Sequence, residues 1–303
     1  MATSPRRRTP EQIFKAAEEK IERARLRQAT HLNLGERRRS LRRFPSLAGL
    51  THLRSIKAPW TGIIDLAALA DLPQLESLDL SGTPVWDLSP LKALSNLTSL
   101  FLVMSSVVDL TPLRGLKKLT LLDISLTKVH DLSALSDLPA LKTLEINYSA
   151  VTDLSPLHLS NSLRSLNIRG TKIDSLAFAY ELKNLSTLIC TGTNIDSLAP
   201  IAGSRLTNLD IEKTRITDLS PLSTVTSLQH LDIAYTGIAN IESVRNLKNL
   251  EWLRLDHSKV SDLSPILNLK SLAVPSTRFF SGLSFDHCPI EVVPPYGTEW
   301  RFG

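Results

Sequence analysis

An aspartate followed two residues later by a serine recurs along this chain. It stands in V-W-D-L-S-P-L at Val85–Leu91, V-T-D-L-S-P-L at Val151–Leu157, I-T-D-L-S-P-L at Ile216–Leu222 and V-S-D-L-S-P-I at Val260–Ile266. A serine so placed is either a nucleophile with a carboxylate partner or the punctuation of a turn. No second signature of chemistry accompanies it. There is no glycine-rich phosphate loop, no H-E-x-x-H, no C-x-x-C and no G-x-S-x-G, and the 7 histidines are scattered without ligand spacing.

The recurrence itself decides between the two. Leu53, Leu75, Leu97, Leu119, Leu141, Leu163, Leu185, Leu206, Leu228 and Leu250 follow one another at steps of 22 residues, except one of 21 between Leu185 and Leu206. The unit reads L-x-x-L-x-L-x-x-T-x-V/I-x-D-L-S-P-L-x-x-L. Its aspartate position holds Asp65, Asp87, Asp109, Asp131, Asp153, Ser175, Ser197, Asp218, Asn240 and Asp262, all turn- and cap-forming side chains. Proline follows at Pro90, Pro112, Pro156, Pro200, Pro221 and Pro265. Serine before proline then marks the entry to a helical turn, with a cap oxygen and a fixed φ. A catalytic pair is not needed in copy after copy, so the motif closes each coil.

This unit resembles the leucine-rich repeat family, in its short 22-residue class, over roughly residues 29–290. That class includes bacterial internalins and cytoplasmic repeat proteins that regulate a phosphatase. The resemblance implies an α/β fold: a leucine-rich repeat solenoid with a parallel sheet on its concave face and short helical turns or extended segments on its convex face. One departure is visible. The family usually places Asn at the ninth position, and this chain has Thr61, Thr83, Ser105, Thr127, Ser149, Thr171, Thr193, Thr214, Thr236 and Ser258 there. Their hydroxyls are expected to satisfy buried backbone groups between coils. The L-x-L segment reads as a short strand with leucines inward and the intervening residue outward. No unit buries its leucines alone, so stability requires the array and capped ends.

Residues 10–28 place Ile13, Phe14, Ala17, Ile21, Ala24 and Leu26 near one helical stripe. Thr9 before Pro10 is a helix start. The expected organisation is a disordered basic tail at 1–9, a helical N-terminal cap with a degenerate first repeat at 10–52, ten repeats at 53–271, and an irregular insert, last strand and C-terminal cap at 272–303. The lead-in, a helix running into A-T-x-L-x-L, is similar to that of repeat regions in bacterial Roco-type proteins. The last strand is expected within Phe280–Ile290, displaced by eight residues from the repeat phase.

The net charge of +5 hides an asymmetry, because residues 1–57 hold 15 basic and 5 acidic residues. The arginine clusters Arg6–Arg8, Arg37–Arg39 and Arg42–Arg43 have no aromatic residues among them, so nucleic acid is not the expected partner. No apolar run is long enough to span a membrane, and the N-terminus has no apolar core of a secretory signal. A cytoplasmic location is expected, with an effector exported without a cleavable signal as the alternative. Cys190 and Cys288 lie four coils apart and read as small buried residues, not a disulfide. His257 and His287 fall near each other on the rim of late coils.

Function is expected where the repeat stops dictating the residue, at the third, fifth, seventh and eighth positions of each coil. Trp60, Phe101, Val103, Met104, Leu121, Leu126 and Tyr148 place apolar side chains there without a core requirement. Tyr235 and Trp252 lie further along, among acidic Asp210, Asp232 and Asp256. These twelve are the candidate partner-binding residues. The reading is a non-enzymatic, monomeric protein-recognition module that binds a protein or peptide on its concave face, with no cofactor, metal or catalytic residue. The alternative is a bacterial effector or signalling regulator that modulates a GTPase or phosphatase through the same surface.

Overall fold

A computed structural model of the chain describes residues 9–35, 40–273 and 282–291. Arg6–Arg8, Arg37–Arg39 and the tail from Val292 onward lie outside these residues, as does most of the expected insert. The chain forms two compact units, Met1–Leu144 and Glu145–Gly303.

The first unit opens with α1 (Pro10–Leu26). Thr9 Oγ1 accepts from the Gln12 backbone at 3.3 Å, and Gln12 Oε1 accepts from the Thr9 backbone at 3.0 Å. Two otherwise unpaired donors are thereby satisfied reciprocally. Ala17, Ile21 and Ala24 are buried, and Lys20 Nζ donates to Asn33 O at 3.1 Å, tying the helix to the first strand. Leu26 departs from expectation, being 83% exposed. Five residues beyond Ile21 is well over a third of a turn out of phase with the buried stripe.

Three-residue strands follow, one per coil: β1 (His31–Asn33), β2 (Ser55–Lys57), β3 (Ser77–Asp79), β4 (Ser99–Phe101) and β5 (Leu121–Asp123), with β6 (Thr143–Glu145) at the division. They pair in parallel and in chain order, the central residues facing one another as Leu32, Ile56, Leu78, Leu100 and Leu122. The second unit repeats the scheme with β7 (Ser165–Asn167), β8 (Thr187–Ile189), β9 (Asn208–Asp210), β10 (His230–Asp232), β11 (Trp252–Arg254) and β12 (Gly282–Ser284). Leu253 of β11 faces Leu283 of β12, so the last described coil is longer than the repeat. The fold is a leucine-rich repeat solenoid with an N-terminal helical cap.

Each coil buries the same set. In the coil from Leu75, the side chains of Leu75, Leu78, Leu80, Val85, Leu88, Leu91 and Leu94 are almost completely buried. Each is worth about 1.5–3 kcal/mol of transfer free energy, which makes this register the dominant stabilising term. Two coils break the pattern. Ser160 and Ser204 stand where Leu94 stands in its own coil, and the short step falls between Ser204 and Leu206. A shallow cavity of about 350 Å³ opens there, lined in part by Leu182, Pro200, Ala202 and Ser204.

The D-L-S-P-L turn is a short 3-10 helix, and its cap differs from expectation. Serine is the first helical residue, and it is the aspartate two residues earlier that accepts from its backbone N–H. Asp87 Oδ1 to Ser89, Asp131 to Ser133, Asp153 to Ser155 and Asp218 to Ser220 each measure 2.8 Å. Asn240 at 2.7 Å, Ser175 at 3.2 Å and Ser197 at 3.3 Å do the same. The serine hydroxyl donates to the other carboxylate oxygen at Ser155 and Ser220, both at 2.7 Å. Backbone and hydroxyl donors together hold the carboxyls of Asp87, Asp131 and Asp153 below the usual carboxylate range.

The ninth-position hydroxyls also act differently from expectation. The threonines bond within their own coil, to the carbonyl three residues earlier: Thr83 to Leu80 at 2.6 Å, Thr127 to Ile124 at 2.6 Å, Thr193 to Cys190 at 2.7 Å and Thr236 to Ile233 at 2.6 Å, whereas Ser258 Oγ lies 3.4 Å from Cys288 Sγ of the following coil. This back-bond pins the sharp bend that ends each strand segment.

Candidate recognition face

That bend is what positions the candidate site. The eighth residue of every described coil from the one beginning at Leu53 onward has positive φ. The values run from 53° at Tyr148 to 69° at Gly82, through Trp60 at 61°, Met104 at 55° and Leu126 at 58°. Glycine adopts this left-handed conformation freely, and other residues pay about 1–2 kcal/mol. Only Gly82, Gly170 and Gly192 meet the demand without cost. Elsewhere the strained position carries Trp60, Met104, Leu126, Tyr148, Lys213, Tyr235, His257 and His287. The three glycines, spaced at the repeat in the sequence, are the signal from which this column can be recognised.

In the first unit, Trp60 and Met104 are each 42% exposed and Leu126 is 48% exposed. Met104 N donates to Ser125 O at 3.0 Å, so consecutive members of the column are held in register by the coil-to-coil ladder. Trp60 lies across the next coil: a Cβ on Gly82 would meet its Cε3 at 2.3 Å. The missing side chain of Gly82 is therefore the seat of the indole. Phe101, Val103 and Leu121 are half-buried on the same face. Phe101 sits in register between Asp79 and Asp123, whose carboxylates accept from the Ser81 backbone at 2.9 Å and the Ser125 backbone at 3.0 Å.

The second unit carries the rest. Tyr148 is 56% exposed and lies over Gly170, whose added Cβ would meet Tyr148 Cδ1 at 2.3 Å. Glycines occupy the next two eighth positions, so Tyr148 and Tyr235 are four coils, roughly 19 Å, apart. From Lys213 onward the column becomes a continuous stack. Lys213 Nζ lies 4.7 Å from the Tyr235 ring centre, Tyr235 and His257 stack at 4.3 Å, and His257 and His287 stack at 4.2 Å with planes 10° apart. Rings so stacked aim their in-plane nitrogens side by side, so the two histidines do not converge on one ion between them. Trp252 is half-buried, its ring 6.5 Å from that of His230.

The acidic residues of this unit surround a cation, Arg254, whose outward position follows from the repeat but whose partners do not. Arg254 Nε bonds Asp256 at 2.7 Å, and its Nη1 reaches Asp232 at 3.2 Å and Glu212 at 3.4 Å. Arg169 approaches Asp210 at 3.9 Å, and Lys213 pairs with Glu212 at 2.8 Å. Burial pushes the Asp232 carboxyl up to about 6, with Asp210 adding to the rise and the Ala234 N–H and Arg254 opposing it. At Asp256 burial acts the same way, but bonds from Ser284, Arg254 and the Asp286 backbone outweigh it and hold that carboxyl low. Oxygens of Asp210, Glu212 and Asp232 lie within 4.8 Å of one another, a spacing a metal ion accepts, but Arg254 already pairs with Glu212 and Asp232, Lys213 with Glu212 and Arg169 with Asp210. These acids therefore order the outward face as much as they charge it.

No nucleophilic centre assembles among the described residues. Where a histidine does approach a D-L-S-P-L serine, His158 Nδ1 lies 2.9 Å from the carbonyl oxygen of Ser155, not from its hydroxyl. Cys190 is fully buried, and burial pushes its thiol up. Cys288 is only half-buried, with its Sγ 3.0 Å from Leu255 O, so it is less enclosed than expected. Among the described residues no helix is long and apolar enough to cross a membrane.

The repeat and its parallel sheet define a leucine-rich repeat protein by fold. No known family model matches the chain, and no curated protein matches it. Solved structures do. It is similar to the internalin InlF of Listeria monocytogenes, at 24% identity over 98% of this chain and 96% of that one, with a TM-score of 0.79. The functional domain of InlJ from Listeria monocytogenes shares 20% identity over 80% of this chain and 55% of that one, with a TM-score of 0.59. The ectodomain of the Arabidopsis thaliana receptor kinase GASSHO1/SCHENGEN3, solved in complex with Casparian strip integrity factor 2, shares 18% identity over 79% of this chain and 34% of that one, with a TM-score of 0.59.

Proposed function

We propose that the chain is a non-enzymatic recognition module that binds a protein or peptide through the outward face of its strands. The carrying observation is the eighth-position column. Large apolar side chains stay partly exposed at sites where the backbone favours glycine, even where, as at Trp60 and Tyr148, one face rests on the glycine of the next coil. In the first unit the contact residues are Trp60, Phe101, Val103, Met104, Leu121 and Leu126. In the second they are Tyr148, Tyr235 and Trp252, with Asp210, Asp232 and Asp256 as the charged surround. Exposed aromatic and apolar anchors of this kind dominate the energetics of protein interfaces. The Arabidopsis ectodomain, of like fold, was solved in complex with another molecule, which supports the same use of this scaffold.

The test is affinity capture with the wild-type chain and the Phe101→Ala/Met104→Ala variant, followed by mass spectrometry. A protein held by the wild type and lost from the folded variant supports the reading. Equal capture by both variants contradicts the assignment to this face.

A further inference from the structure

A second apolar column runs beside the first. The twelfth residue of each coil, between the buried valine or isoleucine and the turn aspartate, is Ile64, Trp86 and Val108 in three successive coils. They are 48%, 62% and 41% exposed. At the same position later coils carry polar or small residues: His130, Thr152, Asp174, Asp196, Thr217, Ala239 and Ser261. The repeat therefore does not call for an apolar side chain here. Ser106 N donates to Val85 O at 2.9 Å, which holds the segments bearing Trp86 and Val108 side by side.

Between the two columns lie the small residues Gly62, Pro84 and Ser106. Four residues separate an eighth from a twelfth position, so with the bend between them the columns lie less than about 13 Å apart, no wider than about one α-helix with its side chains. The step along each column is about 4.8 Å, one coil. A helix lying along the columns offers a side chain every 5.4 Å turn, and drifts by only about 2 Å over three coils. An extended partner repeats at about 6.7 Å on one face and falls out of step sooner.

Charge defines the edges. Asp65, Asp87 and Asp109 directly follow the twelfth-position residues, while Asp79 and Asp123 border the strand side. Donors at the turn hold Asp87 and Asp109 ionised, the Ser89 backbone first for Asp87 and the Thr111 hydroxyl first for Asp109. Lys57, Lys92 and Lys128 offset part of this charge, with Lys92 acting on both Asp87 and Asp109. Among these groups acid is in excess, five aspartates to three lysines, while Arg42 and Arg43 follow Leu41, whose carbonyl accepts from the Gly62 backbone at 2.8 Å.

We infer that Trp60, Ile64, Trp86, Met104, Val108 and Leu126 form the dock for a cationic amphipathic helix of a partner protein. Its apolar stripe lies between the two columns and its basic residues face the two rows of aspartates. The inference rests on the reading of the chain as a recognition module; the dock shares Met104 with the sheet face, and Phe101→Ala with Leu121→Ala is the variant that leaves all six dock residues intact.

The probe is an 18-residue Leu/Lys amphipathic peptide, with a Leu/Glu analogue and a sequence-scrambled Leu/Lys peptide as controls. Tryptophan fluorescence and titration calorimetry follow binding to the full chain. The Leu/Lys peptide is expected to bind saturably and shift tryptophan emission to the blue. Trp86→Ser with Val108→Ser weakens it at least tenfold, while Phe101→Ala with Leu121→Ala changes it less than twofold. Affinity falls as salt rises, and both control peptides bind at least tenfold more weakly. Trp86 is solvent-facing, so a folded Trp86→Ser single variant with about a fivefold loss serves if the double variant unfolds. Equal binding to wild type and Trp86→Ser overturns the inference, as does preference for the Leu/Glu peptide. Self-association of the wild type through Trp86, seen by light scattering, overturns it in favour of a second copy as occupant. Loss of natural-partner capture by Phe101→Ala with Leu121→Ala, with peptide binding kept, bears on the proposed function and not on this dock.

Discussion

Replacing Met104 by glycine and by alanine separates backbone strain from side-chain contact. Met104 is held at φ 55°. Alanine there keeps the left-handed cost of about 1–2 kcal/mol. Glycine removes it, but brings a greater loss of conformational freedom on folding, about 0.5–1 kcal/mol. The difference favours glycine by about 0.5–1 kcal/mol. Both variants lose the same half-exposed thioether, so the comparison cancels the lost packing. The control is Ser99, in β4, where extended backbone makes alanine the better residue by about 0.5–1 kcal/mol. Urea unfolding followed by circular dichroism reads the difference, provided the slopes of the paired variants agree. The order of the two residues should invert between positions 99 and 104. Alanine matching or exceeding glycine at 104 refutes the claim that this column is conformationally strained, and with it the argument that its large side chains are kept for contact.

Gly82→Ala places a Cβ inside the Trp60 indole and in a left-handed conformation, so it should destabilise by at least about 1 kcal/mol and change Trp60 fluorescence. Unchanged emission argues against the seat. Asp232 binds a proton in the folded state up to pH about 6 and in the unfolded state only near 4. Its ionisation thus lowers stability as pH rises between these values. Arg254→Gln removes the opposing cation, so carboxyl NMR should show Asp232 titrating higher still, and a fall instead contradicts the network. Asp131→Ala removes a carboxylate that Ser133 donors hold low. Its stabilisation is present above the unfolded value near 3.9 and lost as pH falls through the lower folded value. The wild-type advantage in unfolding midpoint should shrink in acid.

The coil register, the inward leucines and the turn aspartates are legible in the sequence because each is repeated. A residue type that returns at a fixed step reports the constraint acting on it. The hydroxyl of Thr83 shows the limit: its position is legible, but its partner, Leu80 O of the same coil, depends on how tightly the chain bends there. The Arg254 network is a further case. Glu212, Asp232 and Asp256 lie on three coils, and only strand register shows that one guanidinium reaches all of them. Ile64, Trp86 and Val108 escape a reading confined to strand-face positions, because they project from the segment beyond the bend.

The most direct test of the account is the affinity of the captured partner for the wild-type chain and for Phe101→Ala/Met104→Ala, measured by calorimetry at matched stability. Two apolar anchors at an interface centre carry about 1–2 kcal/mol or more each, so the account predicts a loss of at least tenfold. An unchanged dissociation constant in a folded double variant contradicts recognition through this face.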